Sequence, residues 1–102
     1  MARHDLSVSY SLRASNAVLE HVRYYETRLP NLGRSFLTSL RAAERLAQSN
    51  PTGFREVVKS SGIRAIVIRR FPFRLLYALR GDSILIVAVA HTAQKPDRFF
   101  SP

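Results

Sequence analysis

A chain of 102 residues with 46% apolar and 23% charged side chains fits one globular domain, expected over residues 1–102, and not a disordered segment. It contains no cysteine, which excludes disulfides and thiolate metal sites, and its longest apolar run, Ile84 to Ala90, is too short to span a bilayer. Sixteen lysines and arginines against seven carboxylates give a net charge of +9, and of the sixteen only Lys59 and Lys95 are lysine. Arginine presents a planar fork matched to carboxylate and phosphate, so this balance points to an anionic partner: nucleic acid, ribosome or an acidic protein. A merely soluble surface is the competing reading.

The opening MARHDLSVSYSL has no continuous apolar core of the kind a secretion signal needs, and is expected to be folded chain. Val8, Tyr10 and Leu12 alternate with serines, the period of a first strand. Ser15 is a candidate N-cap for a helix running to about Arg28, with Val18, Val22, Tyr25 and Leu29 as its apolar stripe. Pro30 breaks it, and Asn31 is a candidate cap for a second helix ending before Pro51. The second stripe reads Leu32, Phe36, Leu40, Ala43 and Leu46. Away from that stripe, Arg34, Arg41 and Arg45 recur at helical spacing as a basic ridge, either a solvated face or a contact for an anionic partner.

From Gly62 the pattern becomes β-rich. IRAIVIRR, FRLLYAL and ILIVAVA are three strand-like runs, divided by Phe71-Pro72 and by Arg80-Gly81-Asp82-Ser83. Gly81-Asp82 reads as a tight hairpin turn with positive φ at the glycine, and the tripeptide Arg80-Gly81-Asp82 carries no adhesive meaning there. Pro72 belongs at a strand start or bulge. The order strand, helix, helix, strand, strand, strand predicts an α+β domain, a helical hairpin packed on one face of a small, mainly antiparallel sheet. The sheet's other face is expected to project the side chains of RRFPFRLLY outward.

No phosphate-cradling glycine loop, metal-ligating histidine spacing or paired carboxylates occur, so no metal or cofactor is expected. Catalysis, if present, falls to arginine, lysine, histidine and tyrosine, a set suited to phosphodiester chemistry. Alternation places Arg74 opposite Phe73, Leu75 and Tyr77, with Arg64, Arg69 and Arg70 expected to flank it from the neighbouring strand. Arg74 is then an anion site, or a strand arginine paired with Glu56 or Asp97. His91 is a candidate proton carrier or a structural hydrogen-bonding group. Phe99 and Phe100 either stack on bases or pack a C-terminal segment against the sheet.

VRYYETRLPNLGRSFLTSLRAAERLAQSNPTG, followed by GIRAIVIRRFPFRLLYAL and by ILIVAVAH with KPDRF, resembles the RelE/ParE toxin superfamily over about Leu6 to Phe100. The resemblance implies the toxin of a type II toxin–antitoxin pair, a class that includes plasmid stabilisation proteins, acting in the cytoplasm. RelE-like members are ribosome-dependent mRNA nucleases that use strand lysines and arginines and a C-terminal tyrosine; ParE-like members inhibit DNA gyrase without that set. Arg74 matches the arginine of the RelE-type strand, whereas Arg64, Arg69 and Arg70 replace its lysine pair and Phe100 stands where its tyrosine belongs. FPF and the VAVAH ending resemble the ParE side. The resemblance therefore implies a gyrase inhibitor neutralised by a cognate antitoxin with an acidic segment, in a toxin–antitoxin hetero-oligomer. Arg69, Arg70, Arg74, Lys95, Arg98, Arg34, Arg41 and Arg45 are its candidate contacts. The alternative is an mRNA endonuclease acting on the ribosome through Arg74, His91 and Arg64; a third reading is an orphan relative that keeps only the fold.

Overall fold

The computed structural model describes residues 6–95. The elements are β1 (Ser7–Tyr10), α1 (Leu12–Arg28), α2 (Leu32–Ser49), β2 (Glu56–Val58), β3 (Ile63–Ile68), β4 (Phe73–Arg80) and β5 (Ser83–His91). They form one five-stranded sheet in the order β1-β5-β4-β3-β2. β1 runs parallel to β5 and every other neighbouring pair is antiparallel. The α+β arrangement matches the expectation, with one addition: the three-residue edge strand β2. Its sequence, Glu-Val-Val, is too short to show an alternation, and it exists by pairing with β3.

The helical hairpin and the sheet enclose the main core, built from Phe36, Leu40, Ala43 and Ala47 of α2 against Ile66, Ile68, Phe73, Leu75, Tyr77, Ile84 and Ile86. Val18, Val22 and Tyr25 of α1 pack on this cluster as their spacing predicted. Leu29 and Leu46 do not, being 57% and 47% exposed. In α2 the buried line is Phe36, Leu40, Ala43, Ala47, and at 3.6 residues per turn Leu46 falls outside it.

Helix starts were the least legible boundaries. Ser11, not Ser15, is the N-cap of α1: its Oγ accepts from the Ala14 amide at 3.1 Å. Leu12 is thus the first helical residue, 77% exposed, and not a third inward strand position. Ser11 also ties the helix to the sheet, because its hydroxyl donates to the Val87 carbonyl at 3.1 Å and its amide to Ile86 at 2.9 Å. Val87 is the extra residue of a β-bulge, since Leu76 pairs with Ala88 while Tyr77 pairs with Ile86. Ser11→Ala should therefore cost about 1–2 kcal/mol of unfolding free energy, measured by chemical denaturation, with Ser15→Ala close to neutral.

Asn31 occupies the cap position of α2 in the left-handed region (φ 71°) with no side-chain cap bond. Glu26 supplies the acceptor instead, receiving the amides of Asn31 at 2.8 Å and Gly33 at 3.0 Å. The glycine that weakens the first turn has a packing reason: a Cβ at Gly33 would lie 2.8 Å from the Val22 carbonyl of α1. At the β4–β5 turn, Arg80 pairs with Ser83 and Gly81 has φ 57°, as the hairpin reading required.

The sheet face away from the helices departs from expectation. It carries a second buried apolar cluster, Ile63, Leu76, Ala78, Ala88 and Ala90, in place of an arginine-rich surface. The reason lies in the register: Leu76 and Ala78 share a side with Arg74, and the small Ala90 and Ala88 of β5 lie opposite Arg74 and Leu76.

Candidate cationic interface on the second helix

The α2 ridge forms as predicted: Arg34, Arg41 and Arg45 are all exposed on one side of the helix. Ser35, Ser39 and Ala42 lie roughly a quarter turn round the same helix and open a furrow beside the ridge. Arg69 and Arg70 stand on the furrow's far wall with Phe71. This corrects their expected place: β3 ends at Ile68, and both arginines belong to the β3–β4 turn, Arg70 with φ 73°. They do not flank Arg74. Arg69 and Arg70 thus line the furrow, whereas Arg41 borders a separate cavity on the α1 side of the same helix with Tyr10, Val18 and Leu37. Arg41 pairs with Glu44 at 3.8 Å. Among the described residues, Arg34, Arg45, Arg69 and Arg70 have no carboxylate within pairing distance. Exposed cations without a carboxylate partner leave a positive field that attracts an acidic segment.

Below the ridge, Glu44 is 92% buried and accepts a hydrogen bond from the Tyr10 phenol, joining α2 to β1. Burial, and then that bond, hold the Tyr10 phenol well above its usual range. Glu44 thus serves both the Tyr10 phenol and Arg41, and leaves Arg34 and Arg45 unpaired.

The candidate catalytic groups do not converge. Arg64 pairs with Tyr77 on the helix-facing side, where its Nη1 donates to the carbonyls of Phe54 at 2.6 Å and Thr52 at 3.3 Å, holding the loop that leads into β2. Arg74 is on the opposite face, half-buried, its Nη2 donating to the Gln94 carbonyl at 3.3 Å and its Nε buried without a partner. It meets neither Glu56 nor any other described carboxylate; Asp97 lies outside the described residues. His91 shares the helix-facing side with Phe73, at the end of β5, and its Nδ1 accepts the Ala93 amide at 3.1 Å. Lys95 is exposed beyond it, and Arg98, Phe99 and Phe100 lie outside the described residues. No group of three or more metal-ligating side chains occurs among the described residues.

One residue that sequence reading passed over is His21. It falls three residues after Val18 and four before Tyr25, so its ring turns inward with the α1 stripe. It lies 4.1 Å from the Phe73 ring and 5.8 Å from that of Phe36. Burial pushes its imidazole below the usual range, against the raising effect of a hydrogen bond to the Val89 backbone.

A helical hairpin packed on a five-stranded mixed sheet makes this a small α+β fold. Two solved structures share that fold: the chromosomal ParDE toxin–antitoxin system of P. aeruginosa, and the YoeB dimer of Staphylococcus aureus. The first is 16% identical with a TM-score of 0.73, the likeness covering 87% of this chain and 98% of the other. The second is 18% identical with a TM-score of 0.58, covering 85% and 97%. No curated protein matches by sequence. Residues 8–96 match the ParE toxin of type II toxin–antitoxin systems, parDE, and the chain belongs to that family. No helix among the described residues is long and apolar enough to cross a membrane.

Proposed function

We propose that this ParE-family toxin arrests growth by binding and inhibiting DNA gyrase, and that a cognate antitoxin with an acidic segment neutralises it in a cytoplasmic hetero-oligomer. The observation that carries this reading is the dispersal of the nuclease candidates. Arg64 and Arg74 project from opposite faces of the sheet, and His91 sits at the end of β5. General acid–base catalysis requires its groups within hydrogen-bond reach of one reacting centre. Binding requires only a complementary surface, and the exposed arginines of α2 and of the β3–β4 turn are the candidates for it. Induced expression should trigger filamentation and a DNA-damage response while pulse-labelled protein synthesis continues through the first minutes. Early translation arrest with mRNAs cut inside the ribosome would contradict the proposal and favour the endonuclease reading.

Arg74 is assigned to the target contact, not to the core. Its one described hydrogen bond is long, and truncation also removes a buried, unpartnered Nε. Arg74→Ala should cost roughly 1 kcal/mol of stability yet relieve growth arrest. A severe fall in melting temperature would make Arg74 a structural anchor of the segment around Gln94.

A further inference from the structure

The β3–β4 turn holds Arg69 and Arg70 in a conformation that costs energy. The Phe71 amide donates to the Ile68 carbonyl at 3.2 Å, which makes the two arginines the central residues of a four-residue turn. Arg70, the second of them, has φ 73°, the left-handed region that such a turn ordinarily gives to glycine or asparagine. A long side chain is strained there, and strain of this kind collects at binding and switch sites. The turn is also held from behind: the Phe71 ring centroid lies 4.9 Å from that of Tyr25 and 5.2 Å from that of Phe36. Both arginines are exposed, and among the described residues neither side chain has a hydrogen bond or ion pair.

Across from the turn, α2 offers short polar side chains. Two adjoining cavities, of about 300 and 270 Å³, follow the helix and share Thr38, Ser39 and Arg70. Ser35 and Thr38 donate their hydroxyl protons to the backbone carbonyls of Asn31 and Arg34. Ser39, half-buried, makes no side-chain hydrogen bond among the described residues and keeps its proton for a ligand. Leu32 and Phe71 close one end of the furrow, but the end at Ala42 has no apolar residue larger than alanine. A protein segment gains affinity by burying large anchors in pockets, which this end cannot receive. Phosphate oxygens are held by the set found here, arginine forks and serine or threonine hydroxyls. The cavity on the other side of α2 shows the contrast, with Tyr10, Val18, Leu19, Leu37 and Leu40 around Arg41.

We propose that the furrow between α2 and the β3–β4 turn binds the phosphodiester backbone of a nucleic acid, with the Arg69 and Arg70 guanidinium groups and the Ser39 hydroxyl on its phosphate oxygens. Contacts of this kind fix position on a strand without reading its sequence. The proposal stands on the furrow alone. Its test contains no gyrase, so its failure would leave the proposed target untouched.

The test uses the full chain, a short fluorescent DNA duplex and an RNA strand with the same number of phosphates. Arg69→Gln with Arg70→Gln should weaken duplex binding about ten-fold at low salt and lower the slope of log K against log salt by about two. Arg23→Gln with Arg55→Gln removes the same charge from exposed positions outside the furrow and should change both quantities much less. Arg70→Gly should weaken binding while holding or raising the melting temperature, because glycine relieves the left-handed backbone. The amide resonances of Ser39 and Ala42 should shift on titration with the duplex. Whichever nucleic acid binds more tightly names the source of the backbone. Equal losses from the two double variants would overturn the proposal, reducing binding to the field of the whole molecule. So would polyglutamate of matched charge shifting the Ser39 and Ala42 resonances more strongly than the duplex, which would make the furrow a site for a protein's carboxylates.

Discussion

Reversing the charge of Arg34, Arg41 and Arg45 together should slow antitoxin association by about ten-fold or more at low salt and flatten its salt dependence. The three side chains share one exposed face of α2, and the substitutions take the net charge from +9 to +3. Encounter between an acidic segment and this surface is steered by the field before any contact forms, so the effect belongs in the on-rate. Dissociation, set by packing within the interface, should change less. Because all three positions are exposed, the melting temperature should hardly move; Arg41 gives up its pair with Glu44, whose carboxylate keeps the Tyr10 phenol as donor. Surface-binding kinetics across a salt series measure both quantities. An unchanged on-rate would mean that the ridge is only a solvated face.

Phe36→Ala should be the most damaging single truncation, lowering the unfolding free energy by about 3–5 kcal/mol. Phe36 is completely buried and its ring meets Phe71 at 5.2 Å, Tyr25 at 5.6 Å, and His21 and Phe73 at 5.8 Å. It joins both helices to the β3–β4 hairpin, the junction that also positions Arg69 and Arg70. A void there takes away contacts on four sides, and aromatic neighbours cannot collapse into it without leaving their own packing. Against a domain stability of roughly 5–15 kcal/mol, the loss should be plain in urea denaturation. A loss below about 1 kcal/mol would show that the aromatic cluster repacks.

What could be read from the sequence, and what could not, follows from how local each signal was. The two helices, the β3–β4–β5 meander and the hairpin at Gly81 were legible because periodicity and turn chemistry act over a few residues. The cap was misplaced because the serine–apolar alternation of β1 continues through Leu12, while Ser11 is fixed by its bond to Val87, 76 positions away in the chain. β2 was invisible because pairing with β3, not its own three residues, makes it a strand. The Arg34–Arg41–Arg45 ridge was legible as helical spacing. The furrow on the other side of α2 was not: Arg69 and Arg70 extend a β-like run in sequence, yet the chain leaves the ladder at Ile68 and turns them toward α2. Arg64 looked equivalent to them, but alternation through the ladder sends it to the helix-facing side. His21 belongs to no recognisable motif, yet its place in the α1 stripe is a signal that it turns inward.

On the proposed reading these arginines serve binding to gyrase and not cleavage of RNA. Purified toxin, free of antitoxin, should inhibit supercoiling of relaxed plasmid by DNA gyrase and accumulate cleaved plasmid in proportion to dose. Addition of an equimolar cognate antitoxin should restore supercoiling, and Arg74→Ala toxin should inhibit weakly. Unimpaired supercoiling at a large molar excess of folded toxin, together with codon-specific mRNA cleavage in a ribosome-containing translation extract, would contradict the account.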